Sequence, residues 1–164
     1  MKLLSLDTLK LVVEAHKNNG KKIVWTNGCF DLLHPGHIYS FKKAKEKGDI
    51  LIVGVDSDRS IKKLKGFNRP VISEEYRVAS LAALEMVDYV IVFDFGWAKK
   101  IIEEIKPHVY VKSGHYTIET INQEERKIVE GYGGEIYLPR GIEGFSTTDI
   151  IKKLKSLHST NTDM

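Results

Sequence analysis

The spacing of apolar residues changes period along the chain, and each change marks a predicted element. Leu6, Leu9 and Val13 recur at helical spacing, and Asn19-Gly20 ends the helix they predict. Lys22-Ile23-Val24-Trp25-Thr26 is a β-branched and aromatic run of strand length. Ile38, Phe41 and Ala44 return to helical spacing as far as Gly48, and Pro35 suits the first turn, where its missing N–H costs no bond. Ile50 to Val55 is apolar throughout, as in a parallel strand covered on both faces. Arg59 to Gly66 is short and basic, and Asn68-Arg69-Pro70 reads as loop. Ser73 caps a predicted helix with Glu74 and Glu75 in its first turn and Ala79, Ala82, Ala83 and Met86 as its buried face. A strand over Val87 to Phe93, a helix over Trp97 to Ile105 stopped ahead of Pro107, and a strand over Val109 to Lys112 follow. Glu119 to Glu130 reads as a helix ended by the glycines around Tyr132, and Glu135 to Leu138 as the last strand. Ser146 caps a closing helix through Ile150, Ile151 and Leu154, and the polar tail 158–164 reads as disordered.

Strands alternating with helices imply right-handed βαβ units. The expected fold is therefore a single-domain, doubly wound (Rossmann-like) parallel sheet of five strands with helices on both faces, over residues 1–157. Such sheets bind ligands beyond the carboxyl ends of their strands, where strand order reverses. Thr26-Asn27-Gly28-Cys29-Phe30-Asp31-Leu32-Leu33-His34-Pro35-Gly36-His37 lies at a strand-to-helix junction of that kind. Free N–H groups and the helix dipole favour an anion there, and histidines at i and i+3 can reach one bound group. Gly28 and Gly36 permit close approach of backbone and ligand, and Asp31 suits fixing the loop by local hydrogen bonds. Arg140 after the last strand, with Ser146-Thr147-Thr148 opening the final helix, forms a second anion-binding start.

The charge balance, 25 Lys+Arg against 22 Asp+Glu, leaves +3 and no long basic block. The densest clusters are Lys62, Lys63 and Lys65, and Lys152, Lys153 and Lys155; they read as solvated helix faces, so nucleic acid is not an expected partner. The lone Cys29 excludes an intrachain disulfide and fits a reducing cytosol. No His-plus-Asn/Asp arrangement points to it as a nucleophile, and no third ligand joins the histidines for a metal. Asp7 and Lys10 interrupt the opening apolar run, no cleavage site follows, and the other apolar runs are of strand length. The expectation is a cytoplasmic protein without a membrane segment.

Three stretches also carry a resemblance. Gly28 to His37 resembles the HxGH signature of the nucleotidyltransferase superfamily. Lys65-Gly66-Phe67 with Glu75-Tyr76-Arg77, and Arg140 with Glu143-Gly144-Phe145-Ser146-Thr147-Thr148, resemble its cytidylyltransferase-like branch, with one extra residue between Arg140 and Glu143. Thr26-Asn27-Gly28-Cys29 and Val111-Lys112-Ser113-Gly114 are similar to the heptose-1-phosphate adenylyltransferases, and the likeness runs from Lys22 to Leu154.

The resemblance implies transfer of a nucleoside monophosphate from an NTP, ATP in the nearest group, to a sugar phosphate such as D-glycero-D-manno-heptose 1-phosphate. Pyrophosphate leaves, Mg²⁺ accompanies the NTP, and the protein is a homodimer. It carries His34, His37 and Lys65 over as catalytic. Thr26, Asn27, Gly28, Cys29, Phe30, Gly36, Lys45, Arg77, Lys112, Gly114, His115, Arg140, Ser146, Thr147 and Thr148 are carried over as nucleotide-binding. Lys65 before Gly66 suits a mobile loop closing on phosphates. Such a reaction works by positioning and by stabilising charge on phosphate oxygens, and neither a Ser-His-Asp pattern nor a Walker loop competes for the reading. His115 stands where the heptose-type relatives have an acidic residue, which leaves base and acceptor open. The alternatives are a cytidylyltransferase for glycerol 3-phosphate or another small phosphorylated alcohol, and a non-catalytic nucleotide sensor. Both histidines, Lys65 and Arg140 argue against the sensor. The heptose kinase domain fused to some relatives has no counterpart here, so the chain reads as a stand-alone transferase domain.

Overall fold

The computed structural model describes residues 2–142 and 146–159. Five parallel strands, β1 (Ile23–Gly28), β2 (Ile50–Asp56), β3 (Tyr89–Phe93), β4 (Val109–Val111) and β5 (Glu135–Tyr137), lie in the order β3-β2-β1-β4-β5. The chain winds outward from β1 to β3, then returns to lay β4 on the other side of β1, so the order reverses between β1 and β4. This is the doubly wound Rossmann-like α/β sheet expected from the alternation.

Continuous apolar strands supply both faces at once. Ile23, Trp25, Ile52, Ile91, Phe93 and Tyr110 point into one core, with Leu9 and Val13 of α1 (Leu6–Asn18), Ile101, Ile102 and Ile105 of α5 (Ala98–Ile105) and Val129 of α6 (Gln123–Gly131). Val24, Leu51, Val53, Val55 and Val90 point into the other, with Phe41 and Ala44 of α2 (Pro35–Lys45) and Val78 and Leu81 of α4 (Glu74–Ala82). Gly54 exists to admit Trp25: a β-carbon there would stand 2.4 Å from the indole ring. The outer edge of β3 is covered by the start of the chain, where the Leu4 N–H donates to the Val90 carbonyl and the Val90 N–H to that of Lys2.

Several element expectations need correction. The short, basic stretch Arg59 to Gly66, its lysines read as a solvated helix face, falls in α3 (Asp58–Lys65), a helix whose N-cap, the Ser57 hydroxyl, accepts from the Ser60 N–H. Asn122 caps α6 by accepting from Glu124 and Glu125, so the helix starts after a Thr117–Thr120 turn instead of at Glu119. On α4 the buried residues are Arg77, Val78 and Leu81, whereas Ala79 and Ala83 are exposed. Alanine fits either side of a helix, so an alanine stripe alone does not locate the core. Helix α7 (Thr147–Ser159) runs past the expected boundary at 157, and residues 160–164 of the expected tail lie outside the described residues. Among the described residues no helix is long and apolar enough to cross a membrane.

Candidate active site

The loop from Cys29 to His34 leaves the central strand and enters α2 at its N-terminus. Pro35 occupies the first turn, as expected, and His34 holds the N-cap position without a side-chain cap bond. The first turns of α2 and α5 contain no acidic residue, whereas those of α1, α3, α4 and α6 all do. The α2 dipole is therefore left for an external anion.

His34 and His37 stack there, ring centroids 3.8 Å apart and planes 27° from parallel. Phe30 braces His37 edge-on at 5.4 Å and touches Phe41 behind it at 5.2 Å. To do so Phe30 adopts φ 48°, the left-handed conformation that costs a non-glycine residue on the order of 1–2 kcal/mol. Phe30 is thus buried beneath the histidine as a brace. Neither Nδ1 of the pair, both buried, has a hydrogen-bond partner among the described residues. Burial lowers the pKa of His34. Burial, then the neighbouring His34 and Lys65 charges, push His37 down to about 4, with the Leu32 backbone opposing weakly. His37 is neutral at pH 7.

That shift has a testable sign. The unfolded chain, with His37 near 6.5, binds a proton that the folded state refuses down to about 4. Stability should therefore be lost as pH falls from 6.5 towards 4, by about 2–3 kcal/mol from this group. Urea midpoints of the wild type and His37→Gln check it. Their difference should shift steadily against the wild type across that window, and a pH-independent difference would remove the half-buried neutral imidazole.

Two internal clips fasten the site. The Asp31 carboxylate accepts from the Val71 and Ile72 N–H groups and from Arg69 Nε at 2.7 Å, and is 3% exposed. Burial alone would raise its pKa, but those donors outweigh it and hold the carboxyl below its usual range. Asp31 fixes the loop as expected, but by tying it to residues 69–72, not locally. The second clip is Arg77. Its guanidinium donates to the carbonyls of Cys29 (2.6 Å), Asp56 (2.8 Å) and Ile72 (3.1 Å) and to the Asp58 carboxylate (2.9 Å). At 1% exposure with its donors committed, Arg77 is not placed to meet a phosphate, contrary to the expectation.

The other expected residues divide. Lys65 is the last residue of α3, not part of a loop, and its charge reaches His37, Cys29 and Asp56. Gly66 ends the helix at φ 92°. Lys112 follows β4 and donates to the Asn27 carbonyl at 2.8 Å, and burial lowers its pKa. Thr26 is buried within β1, and Asn27 keeps a buried Oδ1 without a partner among the described residues. Gly28 packs against the Phe30 ring, and Gly36 lies in the first turn of α2. Burial, then the Asp56 charge, raise the Cys29 pKa and keep the thiol protonated, against a nucleophilic role.

Gly114, at φ 125°, pairs with Arg140 across the ends of β4 and β5, which brings exposed His115 and Arg140 to the same carboxyl edge. Ser146 is spent on its own helix: its hydroxyl accepts from the Asp149 N–H and donates to the Asp149 carboxylate at 2.6 Å. Thr147 and Thr148 lie beside it in the first turn of α7, while Glu143, Gly144 and Phe145 lie outside the described residues.

Lys45 does not belong to this group. It ends α2, about 15 Å from the histidines, and pairs with Asp88 and the Asp49 carbonyl, which precede β3 and β2 at the opposite edge of the sheet. Asp56, by contrast, was missed by the sequence reading. It closes β2 at the carboxyl edge beside Cys29. The signal for it was a polar residue directly after the apolar run Ile50 to Val55.

Anion-directed donors gathered at a switch point, with the one thiol held protonated, define a nucleotidyltransferase-type domain. The chain belongs to the cytidylyltransferase-like family, which it matches over residues 25–153. Bifunctional protein HldE of Geotalea uraniireducens is 46% identical over 94% of this chain and 31% of its own length. For that of Geobacter metallireducens the figures are 48%, 93% and 31%, and for that of Pseudomonas aeruginosa 42%, 93% and 32%. The chain thus spans about a third of the length of these relatives. A lipopolysaccharide core biosynthesis protein from Thermoplasma volcanium superposes with a TM-score of 0.61 at 29% identity, over 75% of this chain and 98% of that one. Pantoate-beta-alanine ligase from Francisella tularensis shares the fold, with a TM-score of 0.62 at 16% identity over 94% of this chain and 77% of its own.

Proposed function

We propose that the chain transfers a nucleoside monophosphate from an NTP, ATP by resemblance, to a sugar phosphate such as D-glycero-D-manno-heptose 1-phosphate, releasing pyrophosphate. The observation that carries this reading is the stacked, neutral histidine pair at a helix start free of acid, at the point where strand order reverses. An acceptor phosphate oxygen attacks the α-phosphorus of the NTP, and the bond to the pyrophosphate oxygen breaks. The attacking oxygen is already ionised, so no side chain need remove a proton. The protein's work is to hold the two substrates in line and to offset charge on the α-phosphate oxygens. In this reading His34 and His37 serve those oxygens, Lys65 closes from α3, and Lys112 keeps the Asn27 turn in place. Arg140, Thr147 and Thr148 receive the outer phosphates.

No three His, Cys, Asp or Glu side chains converge on one point among the described residues. Mg²⁺ would arrive on the triphosphate, where it offsets phosphate charge. A homodimer and a cytoplasmic location complete the proposal.

A matrix of four NTPs against sugar and polyol phosphates, scored by pyrophosphate, tests it. Steady release with ATP and a sugar 1-phosphate is the expected result. Release only with CTP and glycerol 3-phosphate would replace both substrates, and nucleotide binding without any release would leave a binding module. Lys65 has its own check. Lys65→Ala should lower turnover by roughly 10²-fold, whereas the exposed Lys62→Ala should stay within about twofold. Trypsin cleavage at Lys65 should slow when ATP and Mg²⁺ are added. Normal turnover of Lys65→Ala would return Lys65 to the ordinary surface.

A further inference from the structure

The geometry points to Asp56 as the residue that reads hydroxyl groups of the acceptor, an inference that rests on the transferase reading above. Asp56 ends β2, on the side of β1 away from β4. Its structural duties are already met by other atoms. Its backbone carbonyl is held by Arg77, whose charge is answered by Asp58. Capping of α3 falls to Ser57. Among the described residues the Asp56 carboxylate has one hydrogen-bond donor, the Cys29 thiol at 3.5 Å, which is long and weak. A carboxylate offers about four lone-pair sites, so most of its accepting capacity is unspent.

Its surroundings say what it can accept. Burial raises the Asp56 pKa above the usual carboxylate range, and Lys112, Arg77 and Lys65 lie close enough for their charges to oppose that rise. Facing phosphate directly it would only repel; a neutral donor suits it. The reaction supplies one by direction. In-line displacement puts the attacking oxygen and the departing pyrophosphate on opposite sides of the α-phosphorus. Arg140 and the start of α7 follow β5, so the outer phosphates belong on that side. The acceptor then enters on the β2 side, its phosphate met by Lys65 and its carbon chain passing over Asp56. Hydroxyls of a sugar or polyol give the charge-assisted hydrogen bonds that a carboxylate accepts best.

The experiment compares the wild type, Asp56→Ala and Asp56→Asn in the full chain. It measures KM and kcat for a sugar 1-phosphate, binding of that sugar phosphate to protein loaded with a non-hydrolysable ATP analogue, and ATP–Mg²⁺ binding without acceptor. Asp56→Ala should weaken the sugar phosphate about ten- to hundredfold in KM and in direct binding. Its kcat at saturation and its ATP affinity should stay within about threefold, and Asp56→Asn, which keeps an acceptor oxygen, should recover most of the loss. Retained ATP binding also certifies the fold of each variant. Unchanged sugar phosphate affinity would overturn the assignment, as would a matching loss of ATP affinity or a raised Mg²⁺ requirement, which would place Asp56 on the nucleotide or its metal. A wild type that binds the sugar phosphate but releases no pyrophosphate would sink the transferase reading and leave the contact itself intact.

Discussion

Replacing His37 with alanine should cut turnover by about 10²–10³ while equilibrium ATP binding stays within a few-fold. A donor aimed at charge that grows in the transition state contributes about 2.7–4 kcal/mol there and much less in the ground state. The structure shows the preorganisation this needs. The ring is stacked on His34, braced by Phe30 and half-buried, so little has to reorganise as the α-phosphate becomes crowded. Its pKa near 4 leaves a neutral imidazole at pH 7, so its service there is a directed hydrogen bond and not a full charge. Kinetics read beside calorimetric ATP binding check the split. Equal losses in both would make His37 an ordinary binding contact, and near-normal turnover would take it out of the chemistry.

The histidine pair was legible because everything that places it is local. A strand, a short turn, Pro35 and a helix start fix both rings within a dozen residues of sequence. Lys45 was misplaced although its position was computable: a residue ten places beyond the helix start must lie at the far end of an ordinary helix. Its partner Asp88 comes from a distant strand, and no local pattern names such a partner. The extent of helix α3 was blurred by its own composition. Its apolar content is little more than Ile61 and Leu64, so periodicity was faint, and only the Ser57–Ser60 cap announced it. Asp56 was overlooked for the opposite reason, since the clearest strand in the chain draws the eye to the apolar run Ile50 to Val55, and Asp56 lies just past it. Where chemistry depends on which strand ends become neighbours, a motif can nominate residues but cannot assemble them.

Arg77 shows the cost of that limit most sharply, and its replacement should have the largest effect on stability. From sequence it was a cation near phosphates; in the fold it is a fully buried fork that joins the ends of β1 and β2 to α3 and to the turn before α4. Arg77→Ala would strand three carbonyl groups and leave the half-exposed Asp58 carboxylate unpaired, and at about 1–3 kcal/mol for each unsatisfied buried acceptor the loss should reach about 3–5 kcal/mol. Arg77→Lys should recover only part of this, because one ammonium group cannot span acceptors that a planar fork reaches together. Tyr76→Ala, at an exposed neighbour, should stay within about 0.5 kcal/mol. Urea unfolding at pH 7 measures all three, and the two readings of Arg77 part there. A phosphate ligand would leave the midpoint near that of the wild type and weaken ATP binding. The buried clip must lower the midpoint first. Because the clip joins the Cys29 carbonyl to the helix that carries Lys65, any Arg77→Lys protein that folds should lose turnover through displaced neighbours, while its ATP affinity falls far less.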